Sequence, residues 1–173
     1  MQADLQPFLE NQLVKLRPLR KNDFNALFKV AGDPDIWKLH QCPDRYQLDV
    51  FKEFFEVALK SKGALVIIDK KTGEIIGSSR YKPSQLDPKA VEIGWSFLAK
   101  TYWGGTYNKA FKTLMIDLAL IFFEHVIFYV DQNNFRSQRA MEKLGAVKLH
   151  IDSPLQHLRR IDGTTITYCI SKL

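Results

Sequence analysis

One junction constrains this chain more than any other. A strand-like run, Val91 to Leu98, gives way through Tyr102-Trp103-Gly104-Gly105-Thr106-Tyr107-Asn108 to the apolar-periodic segment Lys109 to Glu124. Within that segment Phe111, Leu114, Met115, Leu118 and Phe122 recur at helical spacing, which predicts one buried face on a helix of about four turns. The first turn of a helix carries amide N–H groups without intrahelical partners, at the positive end of the macrodipole. Two glycines just before it let backbone come close to a ligand, an arrangement suited to phosphate or pyrophosphate. The same pair also reads as a flexible turn. It is neither a GxGxxG after a first strand nor a Walker loop, since no Gly-Lys-Ser/Thr follows.

In chain order, Leu13 to Leu19 reads as a first strand, with Val14 and Leu16 on one face and Lys15 and Arg17 on the other. Asn22 or Asp23 can cap a helix whose stripe is Phe24, Leu27, Phe28 and Ala31, and Gly32-Asp33-Pro34 stops it. Ile36 to Tyr46, with Trp37, His40, Cys42 and Pro43, has no clear period; it either packs over a core or lines a pocket. Leu48 to Lys60 returns to helix spacing through Phe51, Phe54, Phe55 and Ala58. The runs Ala64 to Ile68, Glu74 to Tyr81 and Val91 to Leu98 follow, joined by the turn Asp69 to Gly73 and a loop with Pro83 and Pro88. Such short connections predict an antiparallel meander. Val126 to Val130 is a buried strand, and Ser137, Ala140, Met141 and Leu144 share the face of a helix ended by Gly145. Strand material covers Ala146 to Ile151 and Thr164 to Ile170, with Asp162-Gly163 as a hairpin signal. The order β-α-α-β-β-β-α-β-α-β-β describes an α/β architecture with a mixed sheet, one domain over 1–173.

A chain of 173 residues can bury one good core and is short for two. No apolar run reaches the length of a membrane span, and the start lacks a basic region followed by an apolar core, so neither a membrane segment nor a signal peptide is expected. Cys42 and Cys169 have no metal-ligand spacing, and neither do His40, His125, His150 and His157; no metal is expected, and a reduced, cytoplasmic setting is favoured. The net charge of +6 suits a polyanionic ligand. It would also suit nucleic acid or an acidic protein, but the basic residues are scattered, which argues against nucleic acid. The final Ser171-Lys172-Leu173 spells a peroxisomal address in a eukaryote, or is a coincidence behind a strand.

Two segments together resemble one family. Asp131 to Ala146 contains Asn134-x-x-Ser137-x-x-x-x-Glu142-Lys143-x-Gly145, similar to the Asn-x-x-Ser-x-x-x-x-Glu-Lys-x-Gly signature of GCN5-related N-acetyltransferases, in particular the branch with the ribosomal-protein N-terminal acetyltransferases. Glu92-Ile93-Gly94-Trp95 through Asn108 resembles that family's strand and pyrophosphate loop. The loop departs from the usual Gln/Arg-x-x-Gly-x-Gly/Ala: Trp103 holds the first position, Thr106 the glycine and Asn108 the small residue.

The resemblance implies a mostly antiparallel mixed sheet flanked by helices, and acetyl-CoA as cosubstrate without a metal. The loop Trp103, Gly104, Gly105, Thr106, Tyr107 and Asn108 would hold the pyrophosphate through backbone amides, with Lys109 adding charge. Ser96, Phe97 and Leu98, where the strand splays from its neighbour, would meet the pantetheine arm. Asn134 would bridge to pantetheine or cap its helix, and Ser137 would both contact the cosubstrate and hydrogen-bond the departing thiolate. Glu92, alternating with Val91 and Ile93 on a half-buried strand, is the candidate general base, directly or through a water; a salt-bridged strand carboxylate is the plainer alternative. The implied reaction is direct attack of a primary amine, a protein or peptide N-terminus or a small amine, on the thioester. Asp33, Asp35, Asp44 and Asp49 are candidates to line a site for a polyamine or aminoglycoside. A non-catalytic CoA-binding sensor or interaction module is the alternative. A monomer or weak homodimer is expected.

Overall fold

The computed structural model describes residues 3–172. One eight-stranded sheet runs in the order β1-β2-β3-β4-β5-β6-β8-β7. Its strands are β1 (Leu9–Glu10), β2 (Val14–Pro18), β3 (Ala64–Asp69), β4 (Ile75–Pro83), β5 (Ala90–Leu98), β6 (His125–Asp131), β7 (Val147–Lys148) and β8 (Thr165–Ser171). The helices are α1 (Phe24–Ala31), α2 (Leu48–Lys60), α3 (Tyr107–Phe122) and α4 (Phe135–Lys143). Every neighbouring pair is antiparallel except β5 and β6. A parallel pair needs a long crossover, and α3 supplies it. The expected single α/β domain with a mixed, mostly antiparallel sheet is what forms.

Helices cover both faces, so the central strands β3, β4 and β5 are buried almost throughout rather than on alternate residues, polar positions such as Ser79, Arg80 and Glu92 included. On β3, Leu65 and Ile67 enter a core with α3 residues Phe111, Met115, Ile116 and Ala119, while Ala64 and Val66 enter a second core under α1 and α2. That second core is an aromatic cluster: Phe51 lies within 6.3 Å of Phe24, Phe28, Phe54, Phe55 and Phe97, ring centre to ring centre. Burying one such ring contributes about 1.5–3 kcal/mol.

Several boundaries differ from the reading of the sequence. β1 is a two-residue strand on the edge of β2, too short to leave a periodic trace. α3 starts two residues earlier and ends at Phe122, because Phe123 is extended. Asp23 does not cap α1 with its side chain; its carboxylate takes the Arg20 N–H and both terminal nitrogens of Arg17. Gly145 does close α4 in the left-handed conformation, φ 78°. The strand expected over Ala146 to Ile151 shrinks to Val147–Lys148, which pair in register with β8, and the last bond to it runs from the Leu149 N–H to the Thr167 carbonyl. Asp162-Gly163 is not a two-residue hairpin: its carboxylate accepts the N–H groups of Thr164 and Thr165 and so starts β8, after a long connection from β7. Of the last three residues, Leu173 lies outside the described residues; Ser171 ends β8 and the Lys172 N–H bonds the Glu124 carbonyl.

Candidate active site

The site follows from one irregularity in β5. Ala90, Val91 and Glu92 pair with β6, and from Ile93 onward the two parallel strands part. On its other edge β5 gains a residue against β4 between Ser78 and Arg80, a bulge whose strain sits at Trp95, φ 53°. A left-handed tryptophan is an outlier that packing must hold in place. Here Arg80 Cζ lies 4.6 Å above the Trp95 ring. The opening between the strands is a cavity of about 150 Å³ whose walls include Gly94, Trp95, Ser96, Asn108, Lys112, Asn134 and Ser137.

At one end of this opening, the backbone N–H groups of Gly104 to Lys109 donate to no described acceptor; the first bond of α3 runs from Ala110 N–H to the Thr106 carbonyl. Gly104 is left-handed, φ 72°, and a Cβ built on Gly105 would meet nothing within 4 Å. A run of free amides at the start of a sixteen-residue helix, open to solvent, fits a pyrophosphate. Opposite, the Asn134 carboxamide accepts the Ser137 N–H at 3.1 Å and caps α4, holding Ser137 at the wall.

On the far side of β5, Glu92 is 7% exposed and lines a second cavity of about 420 Å³ together with Lys82, Leu86, Tyr129 and Arg160. Burial raises its pKa above the ordinary carboxylate value, against the pull of Arg160, Lys82, Arg80 and Lys112. Arg160 Nη2 is 3.9 Å from its Oε2. A Cβ on Gly94 would fall 3.0 Å from Glu92 Oε1, so glycine there lets the carboxylate lie against the backbone of the opening. Tyr129 borders both cavities. The carboxylate thus stands at the wall between a phosphate-friendly cleft and a separate, larger cavity.

Residues 14–147 match the family model described as an acetyltransferase (GNAT) domain. The chain belongs to the GNAT family. It is an acyltransferase, and GNAT enzymes use acetyl-CoA. A curated relative, the uncharacterized protein YkkB of Bacillus subtilis (strain 168), is 28% identical over 139 residues, 76% of this chain and 80% of its own. The acetyltransferase from Agrobacterium tumefaciens str. C58 has the same GNAT fold, with TM-score 0.75 at 24% identity over 96% of this chain and 95% of its own. So does the microcin C7 self-immunity acetyltransferase MccE, solved with acetyl-CoA and AMP, with TM-score 0.74 at 13% identity over 94% of both chains.

Against the GNAT expectations, Ser96, Asn108, Asn134 and Ser137 line the cleft. Phe97 and Leu98 do not: their side chains turn into the two cores, and only backbone on the splayed edge is left for a ligand. Trp103 stacks under Arg136, its ring centre 3.7 Å from Cζ, and its Nε1 donates to the Leu98 carbonyl. Tyr107 points away and donates its hydroxyl to Asp69, as Tyr102 does. Lys109 is exposed. The aromatic loop does both of the things open to it, since Trp37 is buried with Nε1 on the Ala31 carbonyl while His40 lines the cleft, neutral, with burial lowering its pKa to about 4. The aspartates considered for a cationic acceptor are used elsewhere or face solvent: Asp35 pairs with Lys38 and Lys100, Asp33 accepts the Asp35 N–H, and Asp44 and Asp49 are exposed.

Reasoning from sequence missed Lys112. It is 3% exposed, donates to Ser96 Oγ at 2.6 Å, and burial lowers its pKa to about 7. The signal was present: Lys112 stands three and four residues before Met115 and Ile116, both buried, and so on the inward face of α3. Arg80 was missed as well, because alternation on a strand covered on both sides has no solvent face to mark.

Proposed function

We propose that this GNAT domain, spanning the chain, is an N-acetyltransferase that moves acetyl from acetyl-CoA to a primary amine by direct attack. The observation carrying this reading is the parting of β5 and β6 at Ile93, with unpartnered amides at one end and buried Glu92 behind it. Acetyl-CoA supplies an activated thioester carbonyl. The amides of Gly104 to Lys109 hold its pyrophosphate, and the free edge of β5 beyond Glu92 orients the pantetheine arm. Glu92, its proton affinity raised by burial, takes a proton from the acceptor ammonium directly or through a water. Ser137 donates a hydrogen bond toward the departing sulfur. The acceptor enters from the cavity shared by Glu92 and Tyr129.

The test is release of free thiol from acetyl-CoA with a panel of small amines and of peptides bearing free N-termini. Amine-dependent release with acetylated product supports the proposal. Saturable CoA binding without transfer to any of them would favour the non-catalytic reading.

A further inference from the structure

The charge around the acceptor cavity has the wrong sign for a polycation. Among its lining residues Lys82, Arg159 and Arg160 are basic and Glu92 is the acid. On the sheet face that carries Lys82 and Glu92, though lining neither cavity, two more guanidinium groups share one ring, with Arg45 Cζ 4.3 Å and Arg80 Cζ 5.6 Å from the centre of Phe54. Arg80 is 5% and Arg45 9% exposed, and neither has a carboxylate within ion-pair distance among the described residues. Arg80 Nε and Nη2 are buried with no hydrogen-bond partner there.

Those two nitrogens form the in-plane edge with which a guanidinium grips the two oxygens of a carboxylate or phosphate. Stacking on Trp95 and Phe54 engages the face of the plane and leaves that edge unused, so support of the bulge does not account for it. A long apolar side chain would fill the same place without an uncompensated charge. Burial and the neighbouring Arg45 both oppose the charge on Arg80 and outweigh the pull of Glu92, lowering its pKa to about 10, and a bound anion would offset both. Trp95 itself walls the cleft, which puts the guanidinium one ring away from it.

We infer that the acceptor amine also carries an oxyanion, a carboxylate or a phosphate, which the Nε–Nη2 edge of Arg80 receives with Arg45 beside it. This rests on the reading of the site as an N-acetyltransferase. Lys82 and Arg160 flank the entrance and favour the same kind of molecule.

The experiment measures binding of product-like probes by calorimetry, with and without CoA, so that it does not depend on turnover. The probes are a set of N-acetyl amino acids, their amides, N-acetyl-2-aminoethyl phosphate and N-acetylputrescine. The acids, of one kind or the other, are expected to bind at least about tenfold more tightly than the neutral or cationic probes. Arg80→Lys, which keeps the charge and loses the fork, should erase most of that preference. Arg45→Lys, on a loop, reports on the same site if the buried substitution fails to fold. Equal binding of acid and amide, preference for acetylputrescine, or no binding by any probe overturns the inference. Thiol release with the parent amines is read in parallel: its absence with all of them sinks the N-acetyltransferase reading, while the binding preference is judged on its own.

Discussion

Lys112 donates its ammonium to Ser96 Oγ at 2.6 Å, and Ser96 in turn meets Ser79 Oγ at 2.8 Å across the β5 bulge. The Nζ atom lies 5.3 Å from the ring centres of both Phe111 and Phe128. A cation is therefore held at the wall of the cleft by one hydroxyl and two rings, with almost no water.

Such a lysine costs stability in a defined window. Burial, only partly offset by Glu92, lowers its pKa to about 7 from an unfolded value of 10.5. Between those values the unfolded chain binds the extra proton, so this group makes stability rise with pH from about 7 to about 10.5, and its cost is fully present below 7. Lys112→Met should be more stable than wild type at pH 6, with the difference in melting temperature shrinking as pH approaches 10. Parallel melting curves across that range would contradict a proton lost on folding.

Glu92 works with the opposite sense. Its folded pKa is raised by burial, and it must be ionised to accept a proton, so kcat/KM should climb as pH rises through that value. Glu92→Gln should remove the climb and lower the rate by about 10²–10⁴-fold, the range expected for a lost general base. An unchanged rate and pH profile would take Glu92 out of the chemistry and leave it a buried partner of Arg160.

Asp69 ties the loop before α3 to the β3–β4 turn and is absent from the walls of the cleft. It is 2% exposed and accepts hydrogen bonds from the hydroxyls of Tyr102 and Tyr107, at 3.1 and 3.2 Å, as well as from the Lys71 N–H. Burial raises its carboxyl, but the hydrogen bonds from Lys71, Tyr102, Tyr107 and Thr72 outweigh that and hold the pKa below its ordinary value. Its stabilisation is therefore present above the ordinary aspartate value and lost as pH falls through the lower folded one. Asp69→Ala should cost about 1–3 kcal/mol for the orphaned hydroxyls and weaken CoA binding, while Asp69→Asn retains part of both. Denaturant melts and calorimetry with CoA read the two effects; full CoA affinity in Asp69→Ala would show that the loop holds its own shape.

What the sequence disclosed was what depends on local pattern. The stripe Phe111, Leu114, Met115, Leu118 and Phe122 gives α3, and the position of Gly104-Gly105 before it gives the free amides. The alternation of Val91, Glu92 and Ile93 put Glu92 on the sheet face opposite its two neighbours, and in the structure those neighbours pack with α3 while Glu92 lines the second cavity. The rest depends on contacts distant in the chain. Nothing about tryptophan suggests a positive φ, so the bulge at Trp95, and with it the turning of Phe97 and Leu98 into the cores, could not be read locally. Nothing local marks Arg80, because the helices covering its face come from Phe24 to Lys60, far earlier in the chain. Val147–Lys148 is short for a similar reason, since β8 alone decides how much of Ala146 to Ile151 is paired.

The most direct test of the account is calorimetric titration of the protein with CoA. Saturable binding at one site per chain is expected, and CoA at about a hundred times its dissociation constant should add about 2.7 kcal/mol to folding stability. Absence of binding and of any thermal shift at millimolar CoA would mean that Thr106 and Asn108 have closed the loop to pyrophosphate, and the proposed reaction would fall with it.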